Sequence, residues 1–440
     1  MIMVAHVFGG VSVVLAALFG QPGGDGVVAC TGPDGEAVAA ATAGDRPEAN
    51  AAWWGFNGED ATDCLQAAIR SGAGKLVVPY MGRPWIVRPL KLASNQEIVF
   101  EPGVVLLAKE GEYKGKGDSM LSAASAHDIL LRGYGATLRM RKKDYQSAAY
   151  EKAEWRMTID LASCSRVQIL GLRLESSGGD GIYVGVARTE QPYCEDVLIR
   201  DVVCDDHHRQ GISVISAVNL LIENCVLSNT DGTAPGAGID FEPNSSNEKI
   251  VNCVVRNCAM ENNAGAGVLV YLKNLARESD PVSLIVEDCY VRSGRDVGLA
   301  VGAIRDDGPE GAIEFRNCVC EGTRGGLFVY DKSAEGARVR FVNCHWKNAG
   351  GRRRGKISGA PFLLSLLRRE ITEKNGGIDF VDCGLYDGED RPVLKAEDNG
   401  RRLGIHDIQG LITVHSPYAP RVDYRCKAHD CGLSVVGAAE

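Results

Sequence analysis

The sequence predicts an all-β protein, a parallel β-solenoid closed at its N-terminal end by one short helix. Three observations carry that prediction. Gly181, Gly211, Gly238, Gly267, Gly298 and Gly326 each open a short apolar strand, at gaps of 30, 27, 29, 31 and 28 residues. A second series runs out of phase with the first: alternating apolar residues, then Asn or Asp, then Cys225, Cys258, Cys289, Cys318, Cys344 and Cys383. Neither series has a helical period. A repeat of about 30 residues is too long for a hairpin and suits one coil of stacked parallel strands.

Taken in order, residues 1–30 read as an export signal, with an apolar run at Val11–Leu18 and small residues at Val27-Val28-Ala29. The expected location is secreted or periplasmic. Gln21–Gly26 separates the apolar run from Cys30, which argues against lipid anchoring there. Residues 31–51 are rich in Ala and Gly and read as a flexible linker. The spacing of Leu65, Ala68 and Ile69 predicts a helix over 62–70, with Asp60 or Thr62 as its cap and Gly72 and Gly74 ending it. One amphipathic helix ahead of a strand series covers the open end of the first coil. The solenoid is expected over 52–417, with a tail or cap at 418–440. Ala148–Trp155 and Lys347–Gly377 interrupt the repeat. The second interruption carries Arg352, Arg353, Arg354, Lys356, Arg368 and Arg369. It reads as a solvated loop, or alternatively as an arm gripping an acidic glycan.

Within a strand, side chains alternate between faces. Ile239 and Phe241 therefore point inward, and Asp240 and Glu242 outward. The Asn or Asp before each repeating Cys fits a tight turn in the left-handed conformation, with its side chain bonding its counterparts in neighbouring coils. The Cys itself fits the core as a small apolar residue. Cys426 and Cys431 fall outside the series and are the better disulfide candidates. The net charge of −9 removes the global basic field that nucleic acid would need. After the export signal no stretch has the roughly 18 apolar residues of a membrane span.

The opening segment DATDCLQAAIRSGAGKLVVP, Trp85-Ile86-Val87, LKLASNQEIVFEPGVVL and coils such as LLIENCVLSN resemble the cap and coils of the right-handed parallel β-helix proteins of the pectin-lyase-like superfamily. The resemblance covers about residues 52 to 400. It implies the fold and leaves the activity open, because hydrolases, lyases, epimerases and phage tailspikes share it. The chain departs from the polygalacturonase motifs. Gly179-Asp180-Gly181 is present, but Asp205-Asp206 is displaced from its strand and no Gly-His-Gly follows. The Pro-linked Arg of pectate lyases is not found either, so no subfamily is assigned.

The densest cluster of reactive side chains lies between Asp205 and Glu242. Asp240 and Glu242 sit two apart on one strand face, which places them about 6.5–7 Å from each other. Inverting glycosidases hold their carboxyls about 6.5–9.5 Å apart. The leading expectation is a glycoside hydrolase acting on a polysaccharide. Its catalytic candidates are Asp240, Glu242, Asp206 and His208, and its substrate-binding candidates are Arg209, Asp180, Tyr183, Tyr271, Lys273 and His207. That reading needs no cofactor. A second reading is a uronate lyase with Ca²⁺ held by Asp240 and Glu242 and with Arg209 or Lys273 as base. A third is a glycan-binding or structural β-helix without catalysis. Adjacent His207 and His208 diverge on an extended chain and lack a third partner, which argues against a zinc site.

Overall fold

The computed structural model describes residues 30–292, 294–350, 359–368 and 374–438, together with the backbone of 352–353 and 356–357. The export-signal reading of residues 1–29 lies outside these residues, as do the side chains of Arg352, Arg353, Arg354, Lys356 and Arg369. Two compact units divide the chain. Unit 1 holds residues up to Ser213 with Leu221–Val226 and Asp231–Thr233, and unit 2 holds Val214–Leu220, Leu227–Thr230 and Ala234 onward.

Unit 1 begins with two helices. Residues 31–51, expected to be a flexible linker, instead contain the helix Gly35–Thr42. Asp34 caps it, its Oδ1 accepting from Ala37 N at 3.0 Å, and Ala37 and Ala41 are buried. Ala49–Asn50 then pairs in parallel with Leu76–Val77. An Ala-rich stretch has good helix propensity, and here a cap and a buried face fix it. The expected second helix is Thr62–Arg70, with Leu65, Ala68 and Ile69 buried. Asp60 Oδ1 accepts from Thr62 N at 3.1 Å. Coils follow, each with three parallel strands. One column runs Lys75–Val78, Gln96–Phe100, His127–Arg132, Ser165–Leu170 and Cys194–Arg200. The column that matters for function runs Leu90–Lys91, Leu121–Ala124, Ile159–Ala162 and Ile182–Gly185.

Unit 2 repeats the coil. Its corresponding column is Ile239–Phe241, Val268–Tyr271, Val297–Ile304, Gly325–Lys332, Phe362–Ser365, Leu394–Glu397 and Val422–Tyr424. Two expectations are corrected here. Phe362–Ser365 lies inside the interruption 347–377 and is a full rung, masked in the sequence because Pro361 stands where the glycine-led strands have their opening glycine. The coils also pass residue 417, since Ala428–His429 and Gly432–Gly437 pair with Ile405–His415.

The glycine period has a steric cause. A Cβ on Gly238, Gly267, Gly298 or Gly326 would lie 2.4–2.8 Å from a side-chain atom of Met260, Val291, Cys320 or Trp346, respectively. Each of those is the buried middle residue of a three-residue strand in the next coil. The corner closes only if the glycine leaves that space empty. Burying such a side chain stabilises by about 1.5–3 kcal/mol.

The turn reading holds in detail. Asn317 and Asn343 have φ of 52° and 50°, and Asp288 53°. Asn343 Nδ2 donates to Asn317 Oδ1, and Asn317 Nδ2 to Asp288 Oδ1, both at 2.9 Å. In unit 1, Asn224 Nδ2 donates to Asp201 Oδ1 at 3.2 Å. The six repeating cysteines are buried free thiols. Cys426 and Cys431, expected as a disulfide, are also free, and both are partly exposed.

Candidate functional site

In unit 1 the outward face of the glycine-led column carries Asp160 directly beside Tyr183. Asp160 is half-buried, and Ser119 Oγ donates to its Oδ2 at 3.4 Å. Burial pushes its carboxyl up to about 6, against that hydrogen bond. Asp180, just before the next rung, has no solvent exposure. Neither of its carboxyl oxygens has a well-formed hydrogen bond, although the Gln210 backbone N–H lies close enough to favour the charged form. Arg209 Nη1 stands 3.5 Å from Asp180 Oδ2. Burial pushes the Asp180 carboxyl up to about 7, opposed by Arg209 and aided by Glu154 and Asp160. Both carboxyls thus titrate well above the usual carboxylate range.

The interruption at Ala148–Trp155 supplies the cover. A Cβ on Gly179 would lie 2.7 Å from Glu154 O and 2.9 Å from Arg156 N, so this chain lies directly on the residue before Asp180. Arg156, fully buried, fixes it: its Nε donates to Tyr113 O at 2.9 Å and its Nη2 to Glu151 O at 3.0 Å. Trp155 in the same segment is 48% exposed.

The other unit 1 candidates serve the fold. Asp206, expected to be catalytic, is a turn residue with φ of 60°. Its Oδ1 pairs with Lys142 Nζ at 2.8 Å, and its Oδ2 accepts from Ser176 Oγ at 2.8 Å. Asp205 accepts from Arg173 Nη2 at 2.7 Å. His207, expected to bind substrate, has no solvent exposure and is out of a ligand's reach. Its Nδ1 lies 2.9 Å from Ser177 Oγ, and its ring packs against Gly181, where a Cβ would come within 2.6 Å of Nε2. Burial and then Lys142 push its pKa down to about 3, so the ring is neutral. His208, expected to be catalytic, is half-buried, and Gln146 Nε2 donates to its Nδ1 at 2.9 Å. Burial, then Lys142, holds it below the usual histidine range.

In unit 2, Asp240 departs from the expected open carboxylate, since it has no solvent exposure. Its rung partner Leu269 and the next residue of that column, Ala300, are apolar and buried, with Tyr271 and Phe328 packed against them. Glu242 is half-buried and Lys273 exposed. Tyr271 is half-buried beside residues that sequence reasoning did not select. Phe328 and Tyr330 stack at 4.6 Å between ring centroids, and Tyr271 lies 6.4 Å from Tyr330. Burial first, then Tyr271 and Asp240, push the Tyr330 hydroxyl well above the usual phenol range. Arg368 Nη2 donates to Tyr271 Oη, and the guanidinium lies 5.4 Å over that ring.

The selected residues therefore separate. Arg209 joins Asp180, and Tyr183 flanks the unselected Asp160. Asp160, Phe328 and Tyr330 all stand on outward positions of the column, and that common position is the sequence signal that could have found them. Nothing in the repeat marks Glu154, Trp155, Arg156 or Arg368. Among the described residues no group of three or more His, Cys, Asp or Glu side chains is arranged to hold a metal ion. No helix among them is long and apolar enough to cross a membrane.

Stacked three-strand coils with turn ladders define a parallel β-helix. Residues 155–303 match the family model described as right handed beta helix region. A family 28 exopolygalacturonase of Yersinia enterocolitica superposes with a TM-score of 0.59 at 11% identity, over 89% of this chain and 78% of that one. The catalytic domain of a family 87 α-1,3-glucanase gives 0.54 at 13% identity, over 88% of this chain and 66% of that one. The A-module of a mannuronan C-5 epimerase from Azotobacter vinelandii gives 0.51 at 14% identity, over 89% and 97%. No curated protein matches the chain by sequence. The chain has the fold of a right-handed parallel β-helix.

Proposed function

We propose that the chain is a secreted glycoside hydrolase cleaving a polysaccharide laid along the glycine-led strand face, with Asp160 as proton donor. The observation that carries this reading is Asp160 itself. It is partly open to solvent, faces outward beside Tyr183, and its carboxyl is pushed up to about 6 by burial. A carboxyl raised by burial is the usual device for protonating a glycosidic oxygen. Asp180, paired with Arg209, has no solvent exposure and is assigned no direct role in the chemistry. Further support comes from the neighbours in fold, two of which are named as polysaccharide hydrolases and one as a polysaccharide epimerase.

A second reading centres on Asp240 and Glu242. It is favoured by the charge of Asp240 acting on Tyr330 in a partly open aromatic cluster. In the lyase form of that reading the same two carboxylates hold Ca²⁺.

The test follows release of reducing ends, and the ultraviolet absorbance of an unsaturated uronate, over a panel of polysaccharides. Hydrolysis gives reducing ends without the absorbance. Asp160→Asn should then lower turnover by about 10²-fold or more while the fold stays intact. Full activity in Asp160→Asn with loss in Asp240→Asn and Glu242→Gln would move the chemistry to unit 2. Absorbance with a calcium requirement would mean elimination. Binding without either product would leave a glycan-binding protein.

A further inference from the structure

We propose that unit 2 carries a separate binding site for an acidic sugar, built from Tyr271, Phe328, Tyr330 and Arg368. This site needs no cleavage chemistry and stands whether or not the chain is a hydrolase.

The first support is the aromatic surface. Phe328 and Tyr330 stand two apart on one strand, so both face the same way. Their rings are stacked within 28° of parallel, and Tyr271 continues the surface at an interplanar angle of 31° to Tyr330. All three side chains are only partly buried. Tyr271 and Phe328 pack against the buried Leu269, Ala300 and Val297. Flat, partly exposed, rigid rings present apolar area at low conformational cost. The apolar C–H face of a pyranose ring matches such a surface.

The second support is the fixed cation. Arg368 follows a strand end, where an arginine would ordinarily wave in solvent. Here Asp331, itself buried, anchors the backbone around it: Asp331 Oδ1 accepts from Leu367 N at 2.7 Å and Arg368 N at 3.4 Å. Asp331 Oδ2 is buried without a hydrogen bond and lies 3.8 Å from Arg368 Nε. The guanidinium is thus held over Tyr271, bonded to its hydroxyl, with 30% of the side chain still open to solvent. A planar guanidinium in that position offers its remaining N–H groups to a carboxylate. Lys273, exposed in the turn that follows Tyr271, adds positive charge near that strand end. Aromatic rings for the sugar face and an anchored arginine for the acid together select a uronate over a neutral hexose.

The site is tested by titration calorimetry of the full chain with short oligomers of galacturonate, mannuronate and glucuronate. Each is compared with the same oligomer methyl-esterified, which keeps the sugar and removes the charge. The acid form of at least one should bind, and its esterified form should bind at least about tenfold more weakly, the size expected for one charge-assisted hydrogen bond. Arg368→Gln should weaken the acid form by a similar factor and leave the esterified form unchanged. Circular dichroism establishes that the variant is folded. Equal binding of acid and ester overturns the role of the charge. Unchanged binding in folded Arg368→Gln overturns the site, and so does failure of every oligomer to bind. Loss of cleavage in Asp160→Asn with acid binding retained bears on the hydrolase reading and leaves this site standing.

Discussion

Replacing Asp180 by Asn separates the cost of a buried carboxyl from its use. In the fold, Asp180 has no solvent exposure and no well-formed hydrogen bond to either oxygen. Burial lifts its pKa from 3.8 to about 7. The unfolded chain gives up this proton near pH 3.9. Between about pH 4 and pH 7 the folded chain therefore holds a proton that the unfolded chain has lost, and stability falls as pH rises through that window. A difference of about 3 in pKa, at about 1.4 kcal/mol each, corresponds to about 4 kcal/mol, lost in full above about pH 7. Asn does not titrate. The stability of Asp180→Asn relative to the wild type should thus climb by about 4 kcal/mol between about pH 4 and pH 8. His207 contributes the opposite slope, because its depressed pKa costs stability as pH falls below its unfolded value, but it is common to both proteins and cancels. Urea unfolding at several pH values, followed by tryptophan fluorescence, reads the difference. A difference that stays flat with pH would refute the protonated buried carboxyl.

Two further outcomes bear on the scaffold. Asn317→Ala should destabilise by about 2–3 kcal/mol, from two lost ladder bonds and from an alanine forced to positive φ. Asn317→Gly should cost less, since glycine accepts that backbone, and equal urea midpoints for the two variants would exclude turn strain as a cause. Thiol titration of the native protein should label only Cys30, Cys426 and Cys431, and the other twelve cysteines only after denaturation. Burial pushes the Cys64, Cys194 and Cys253 thiols up to about 12, which leaves almost no thiolate to react. Rapid labelling of the repeating cysteines in native protein would contradict their place in the core.

The repeat was legible because each of its marks answers a local constraint. A glycine is required where Trp346 or Cys320 fills the corner, and Asn or Asp where the turn is left-handed. Such marks recur once per coil and survive drift elsewhere. The site was less legible, because alternation gives the direction of a side chain and not what lies over it. Asp240 was read as outward and open, yet its buried apolar neighbours depend on what stands at the same position in other coils. His207 shows the same limit, since its burial depends on the ring packing against Gly181. Arg368 was counted within a charge run, and only Asp331, 37 residues earlier, reveals that it is pinned.

The corner glycines also govern where the fold can be extended. Gly181 and Gly326 sit in tight corners, but the matching positions hold Thr158, Pro361 and Val393 in coils whose corner carries extra chain. A larger residue at that position marks a rung whose neighbours leave it room. Loops can therefore lengthen at this corner within each unit without disturbing the coils around them. For an engineer, that corner is the natural place to graft new recognition segments, provided the glycine there is exchanged along with the inserted loop.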